Sequence, residues 1–282
     1  TMDSVDLDKL QRAIRKIGIP QQPDIILELA KEQLKSEPDF TRIEKIIIRD
    51  VGIASYVLKV INSPFFGVSR PVDSIHQALI MLGLKQINNL VTEKLLSNIL
   101  NTKSTPLSRL IWERSRKSAM ICSTLASKIS LPFQPEKERA YTLGLFHHSG
   151  TLLLMRKHPG YMDIYNRSLE ENIPLHEIEL GEIGIDHRMI GYAMAQAWQL
   201  NPDITQSILN QHESRPWLSG ATIQDEADAL GAILELANGF IHEVDVEPTL
   251  LTYLDLPEQQ FLEIEDRLLI DLAIDTQGVN RH

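Results

Sequence analysis

The first residues in this chain whose types and spacing could do chemistry are two adjacent imidazoles, His147 and His148. They lie within Leu143-Gly144-Leu145-Phe146-His147-His148-Ser149-Gly150. Neutral imidazole is a common transition-metal ligand and titrates near neutral pH. Two more histidines fall on apolar helical stripes: His187 with Ile190, Gly191, Met194 and Trp198, and His212 with Ile204 and Ile208. Three imidazoles at the right separation would suit zinc or nickel. Arg114 lies on another helical stretch and would favour an anion if the fold brought it to these histidines. If the fold does gather them, three readings stay open. The pocket is filled by hydrogen-bonded core histidines, or it binds an anion or nucleotide through Arg114 and histidinium groups, or His147, His148, His187 and His212 hold a divalent transition metal. Other chemistry is thin. His176-Glu177 lacks the second His that a zinc protease helix carries four residues away. No glycine-rich phosphate loop occurs, and Ser149-Gly150 lacks the flanks of a nucleophile elbow. His76, His158, His176, His242 and His282 sit in polar or terminal contexts and read as surface residues.

The elements that must position these side chains read as helices throughout. Apolar residues recur three and four apart in Ile25, Leu29 and Ala30, in Ile43, Ile46 and Ile47, and in Ala54, Val57, Leu58 and Ile61. Thr41 with Glu44, and Ser74 with Gln77, have the spacing of capping boxes. Pro and Gly punctuate the segments at 18–20, 64–67, 83, 106, 132–135, 159–160, 202 and 216. No alternating strand pattern is present, so the fold class is all-α. Asn101–Pro106 interrupts the helices and divides the chain into an N-terminal helical lobe, 1–103, and a second lobe, 104–282. The second opens with a long helix over about 107–129. Three more helices are expected after Ser219, at about 222–243, 248–254 and 257–273. His147 shares its stripe with Ala140 and Gly144, small residues that admit a neighbouring helix closely.

Composition narrows the function classes. The 282 residues are 43% hydrophobic and 23% charged, as in an ordinary globular protein. No apolar run approaches the roughly 20 residues that cross a bilayer, and the acidic start shows no signal peptide. A soluble, cytoplasmic protein without membrane contact is expected. The single Cys122 rules out a disulfide framework and a Cys-based zinc site, and reads as a buried apolar filler. The net charge of −10 hides an asymmetry: residues 1–160 carry +8 and residues 161–282 carry −18. The acidic half argues against nucleic-acid binding and serves as a solvated face or as a docking surface for a basic partner.

Several motifs then appear in a particular order. Ile19-Pro20-Gln21-Gln22-Pro23 precedes the first long helix, and Ile48-Arg49-Asp50-Val51-Gly52-Ile53 follows. Next come Asn62-Ser63-Pro64-Phe65-Phe66-Gly67 and Ser74-Ile75-His76-Gln77-Ala78-Leu79-Ile80-Met81-Leu82-Gly83. The second half adds Trp112-Glu113-Arg114-Ser115, the His147-His148 segment, Asp186-His187, Trp198-Gln199-Leu200-Asn201-Pro202 and Ile208-Leu209-Asn210-Gln211-His212. Over about residues 12–243 this resembles the HDOD domain family, which is similar in fold to the HD metal-dependent phosphohydrolases. The resemblance implies an HD-like helical bundle with an N-terminal helical lobe, and a bacterial signalling or regulatory role that needs no cofactor. Its members are often fused to other signalling modules, and this chain is expected to be the domain alone. The four HD ligand positions correspond to Arg114, His147, His148 and Asn238, of which His147 alone keeps the ligand type. With His187, Gln211 and His212 they would form a vestigial pocket with no catalytic residue. The expected partner is another signalling protein, with a small anion or nucleotide as an added ligand. Phe65 and Phe66 either pack into the core or anchor that partner. The alternatives are a divergent metal-dependent phosphohydrolase and a nucleotide-sensing switch.

Overall fold

The computed structural model describes residues 15–63, 66–212, 215–242 and 246–279, except the side chains of 242 and 269–279. Phe65 and His282, and the side chain of His242, therefore lie outside the described residues. Every regular element among them is helical and there is no strand, so the all-α expectation holds. No described helix is long and apolar enough to cross a membrane. The chain forms two compact units. One comprises Gln22–Asn98 with Pro257–His282, and the other Thr1–Gln21 with Ile99–Leu256. The division expected at 103/104 falls close to the Asn98/Ile99 crossing. The C-terminal helix, expected in the second lobe, clusters with the first.

The first unit contains α1 (Asp24–Gln33), α2 (Phe40–Ile48), α3 (Val51–Ile61) and most of α4 (Ile75–Leu100). Its interior is aliphatic, with Leu29, Ile43, Ile47, Ile53, Val57, Ile61, Leu79 and Ile87 essentially without solvent contact. The helix starts are set by side-chain acceptors. Asp39 accepts from Arg42 N and Asp50 from Ile53 N, each at 3.0 Å. The expected Thr41–Glu44 box is therefore corrected: the chain is already helical at Phe40, so Asp39 is the N-cap and its carboxylate takes the Arg42 N–H. Ser74 does cap, accepting from Gln77 N at 3.1 Å. Asn62 closes the loop after α3 by donating to Leu58 O and Val72 O and accepting from Val72 N. Phe66 packs against the aliphatic core, which is the core-packing alternative for that residue. Gly83 breaks α4 with φ 76° and ψ 164°, a conformation closed to L side chains.

The second unit opens with α5 (Pro106–Lys128), started by a reciprocal Thr105–Ser108 capping box with Pro106 in the first turn. There follow α6 (Lys137–Phe146), α7 (Ser149–Lys157), α8 (Tyr161–Glu170), α9 (Leu175–Glu182), α10 (His187–Ala197) and α11 (Pro202–Asn210). A 3-10 turn at Pro216–Ser219 leads to α12 (Glu226–His242) and α13 (Pro248–Tyr253). The final helix α14 (Glu258–Val279) belongs to the first unit. Two glycines set the closest approaches. A Cβ on Gly144 would lie 2.5 Å from backbone atoms of Ser118 and Ala119, so α6 lies directly on α5. A Cβ on Gly150 would lie 1.8 Å from the His187 carbonyl oxygen, so α7 and α10 meet backbone to backbone. Trp198 is fully buried, meets Phe146 edge-on with ring centroids 5.4 Å apart, and donates its indole N–H to Pro20 O. Cys122 is a fully buried filler whose thiol burial pushes to a higher pKa.

Candidate functional site

The polar centre of the second unit is assembled where α6 ends, α7 begins and α10 starts. His147 is buried immediately after α6, where its Nδ1 lies 2.6 Å from Gly144 O. A carbonyl only accepts, so Nδ1 carries a proton. The His148 ring centroid is 3.8 Å from that of His147, with the planes tilted by 38°. His187, also buried, opens α10. Its backbone N–H and its Nδ1 both reach Glu179 Oε2, at 2.9 and 2.6 Å. The other oxygen of that fully buried carboxylate takes the hydroxyl of Tyr161. Burial and the neighbouring Glu179 charge push the Tyr161 phenol well above its ordinary pKa, which keeps it the donor.

Beside this lies a second buried charge pair. Asp186 caps α10 by accepting from Met189 N, and its other oxygen takes Nε and Nη2 of Arg188 at 3.1 and 2.6 Å. Both residues are almost without solvent contact. A lone ion there would be heavily penalised, so the geometry makes the pair obligatory. Glu179, Asp186 and Arg188 were not among the sequence candidates. The available signal was three consecutive polar residues, Asp186-His187-Arg188, heading a stripe otherwise apolar enough to be buried.

His212 extends the cluster. Its ring lies 5.7 Å from that of His187 and is nearly parallel to that of His176, 6.2 Å away. His176, in the first turn of α9, is therefore half-buried against the cluster, which corrects its reading as a surface residue. Burial of one ring face, then the charges of His187, His147, His176 and Arg188, hold His212 well below the ordinary imidazole range. Its other face keeps solvent contact, so screening moderates that depression. His176 is lowered as well, by burial first and then by the charges of Arg188 and His187, with Asp186 and Glu177 opposing. His212 also has φ 75°, a left-handed conformation uncommon outside glycine and asparagine.

The remaining candidates are placed around this centre. Gln211 is buried and donates from Nε2 to His147 O at 3.2 Å. Arg114 is half-buried on α5, one turn before Ser118, the residue that abuts Gly144. Asn238 lines an open cleft of about 100 Å³ together with Gln211 and His212. The structure thus groups His147, His148, His187 and His212 and adds His176. It does not arrange them as a ligand set: among the described residues no group of three or more His, Cys, Asp or Glu side chains could hold a metal ion. His147 and His187 are oriented as metal-binding imidazoles are, each with Nδ1 held by an oxygen. Arg114 carries a guanidinium, which cannot coordinate a dication, and Asn238 a neutral amide.

The model of the family described as the HDOD domain matches residues 19–214. An uncharacterized protein of Treponema pallidum is 25% identical over 195 residues, which are 69% of this chain and 37% of that protein. The cyclic di-GMP phosphodiesterase CdgJ of Vibrio cholerae is 26% identical over 129 residues, 46% of this chain and 28% of its own length. The matched segment thus spans less than two-fifths of these relatives. An HDOD domain protein of unknown function from Geobacter sulfurreducens superposes with a TM-score of 0.75 at 21% identity, covering 96% of this chain and 97% of that one. A Shewanella amazonensis protein provisionally named a phosphohydrolase superposes at 0.64 with 18% identity, covering 99% and 94%. Identities this low carry the fold and nothing finer. With the matched motifs and the family model covering residues 19–214, the chain belongs to the HDOD domain family.

Proposed function

We propose that this chain is a non-catalytic HDOD module that acts in bacterial signal transduction, in the cytoplasm, by binding another signalling protein. The observation that supports this reading most is the content of the HD ligand positions. A metal-dependent phosphohydrolase needs its ion to polarise the phosphate and to supply hydroxide near neutral pH. By the family resemblance Arg114 and Asn238 fall where a histidine and an aspartate would bind that ion, and among the described residues no three ligating side chains are placed to hold one. A guanidinium keeps its proton and cannot coordinate. The buried network of Glu179, Tyr161, His187, Asp186 and Arg188 then serves as a rigid centre that fixes the outer helical surfaces for a partner. Phe66 is committed to the core of its own unit, so the partner's contacts are sought on other surfaces.

The orientation of His147 and His187 favours one alternative, a divergent metal-dependent phosphohydrolase. The name of the Vibrio cholerae relative points the same way. Metal analysis of untagged protein, with hydrolysis assays on cyclic di-GMP and a generic phosphodiester in Mn²⁺, Fe²⁺ or Zn²⁺, separates the two. The module reading expects protein that stays folded with no stoichiometric metal and no turnover, and it expects one defined protein partner. About one metal per chain, lost together with phosphodiesterase activity in His147→Ala and His187→Ala, would overturn it. Stabilisation by a cyclic dinucleotide that Arg114→Ala removes would point to the nucleotide-sensing switch instead.

A further inference from the structure

Two helices of the second unit carry outer faces of opposite charge, each with exposed apolar side chains. α8 buries Tyr161 and Ile164 and turns Met162, Asn166 and Leu169 outward, at the i, i+4, i+7 spacing of one helical stripe. Met162 is 41% exposed and Leu169 67%. Single exposed apolar residues are ordinary, but two in register on one stripe make a ridge that lacks a packing partner. Asp163 and Glu170 run beside this ridge, both exposed and without an ion pair among the described residues. The basic residue of the helix, Arg167, is already shared between Glu171, at 3.3 Å, and Glu182. The α8 face is therefore apolar along its middle and negative along its edge.

The outer face of α5 has the opposite sign. The helix buries Ile111, Trp112, Ser115 and Ser118, and its other side carries Arg109, Leu110, Glu113, Arg114 and Lys117. Leu110 is 44% exposed. Arg109, Arg114 and Lys117 make no ion pair among the described residues, although Glu113 stands one turn from both Arg109 and Lys117. Cations crowded at this spacing repel one another, so an anionic surface laid against them relieves the face.

What each face lacks, the other supplies. A leucine among cations on α5 matches an apolar ridge edged by carboxylates on α8. Both helices lie within residues 99–256, so every copy of the chain presents both faces. A nucleic acid is disfavoured as the occupant of the α5 face, because the chain has a net charge of −10 and much of its acid lies in the same unit. One helix-on-helix contact is small beside the roughly 1,200–2,000 Å² of stable interfaces, so the association it supports is weak and reversible.

We propose that the chain self-associates by seating the α5 face of one copy on the α8 face of another. Leu110 packs against Met162 and Leu169, while Arg109 and Lys117 lie opposite Asp163 and Glu170. The proposal goes beyond the module reading and is independent of whether the chain hydrolyses phosphodiesters. Sedimentation equilibrium on the untagged full chain tests it, over concentrations from well below to well above a Kd on the order of 10–100 µM at low salt. The mass should rise with concentration, and about 0.5 M salt should weaken the association several-fold. Arg109→Glu with Lys117→Glu makes both faces acidic, and Asp163→Lys with Glu170→Lys makes both basic. Each double variant alone should associate at least tenfold more weakly while keeping the wild-type Tm within a few degrees. An equimolar mixture of the two restores opposite charges at every contact and should recover association to within about threefold of wild type. Leu169→Ser should weaken association at any salt concentration. A wild type that stays monomeric throughout, double variants that associate as the wild type does, or a mixture that recovers nothing would each overturn the proposal. Duplex DNA bound by a monomeric wild type and lost in Arg109→Glu with Lys117→Glu would assign the α5 face to nucleic acid instead.

Discussion

The two units bury different chemistry. Residues 22–98 enclose an aliphatic interior, and their two buried carboxylates are met from beside it: Glu32 by the exposed Lys35 and Arg42, and Glu93 by the hydroxyl of Tyr56. Residues 99–256 bury Glu179, Asp186, His187 and Arg188 at their centre, with His147 and Gln211 beside them. The first kind of core is insensitive to the identity of its partners, since one aliphatic contact resembles another. The second is made of directional pairs, each of which is penalised when its partner is lost. A polar centre of this sort adds little net stability compared with aliphatic packing. What it supplies is one fixed arrangement of α7, α9 and α10.

The largest expected effect breaks the polar unit at its closest contact. Gly150→Ala drives a Cβ into the His187 carbonyl, with backbone on both sides and no flexible neighbour to yield. A loss of about 4 kcal/mol or more is expected, seen as insoluble protein or a collapsed denaturation midpoint. Next, Asp186→Ala removes both the α10 cap and the buried partner of Arg188, and should cost about 3–5 kcal/mol in urea unfolding. Combining Asp186→Asn with Arg188→Met, which removes the charge as well, should recover most of that loss. If it recovers none, the pair is not the origin of the cost. In the aliphatic unit, Ile47→Ala should cost about 2–4 kcal/mol through cavity formation, and Ile47→Val about 1 kcal/mol, a graded response with no partner to rescue.

The smallest effect sharpens the comparison through pH. The folded pKa of His212 is lower than the unfolded value near 6.5, so the unfolded chain binds protons first. The stability linked to this ring is present in full above pH 6.5 and is lost as pH falls toward the folded pKa. Tm should therefore decline between about pH 6.5 and 5, with His176 contributing in the same direction. His212→Asn, which tolerates the left-handed backbone, should flatten the decline and change stability at pH 7.5 by less than about 1 kcal/mol. An unaltered pH slope in that variant would assign the decline to other groups.

Much of the fold was determined by local chemistry that the sequence carries on its face. The three-and-four spacing of Ile43, Ile46 and Ile47, the proline at 106 and the long stretch at 107–129 lead directly to α2 and α5. Local hydrogen bonding and solvent exclusion act there over one or two helical turns. The small residues at 140 and 144 likewise signal a closely packed neighbour, and Gly144 has one. Finer choices went to competition among nearby acceptors, as when Asp39 rather than Thr41 capped α2. The candidate site divides in the same way. That His147 and His187 lie on inward faces follows from periodicity, whereas His212, expected on the stripe of Ile204 and Ile208, lies past the end of α11 with a left-handed backbone and is exposed. That His176 joins them, that Glu179 orients His187, and that Gln211 donates to the His147 carbonyl do not. Those outcomes depend on residues distant in sequence meeting in one low-dielectric place, where pairing is decided by position in space.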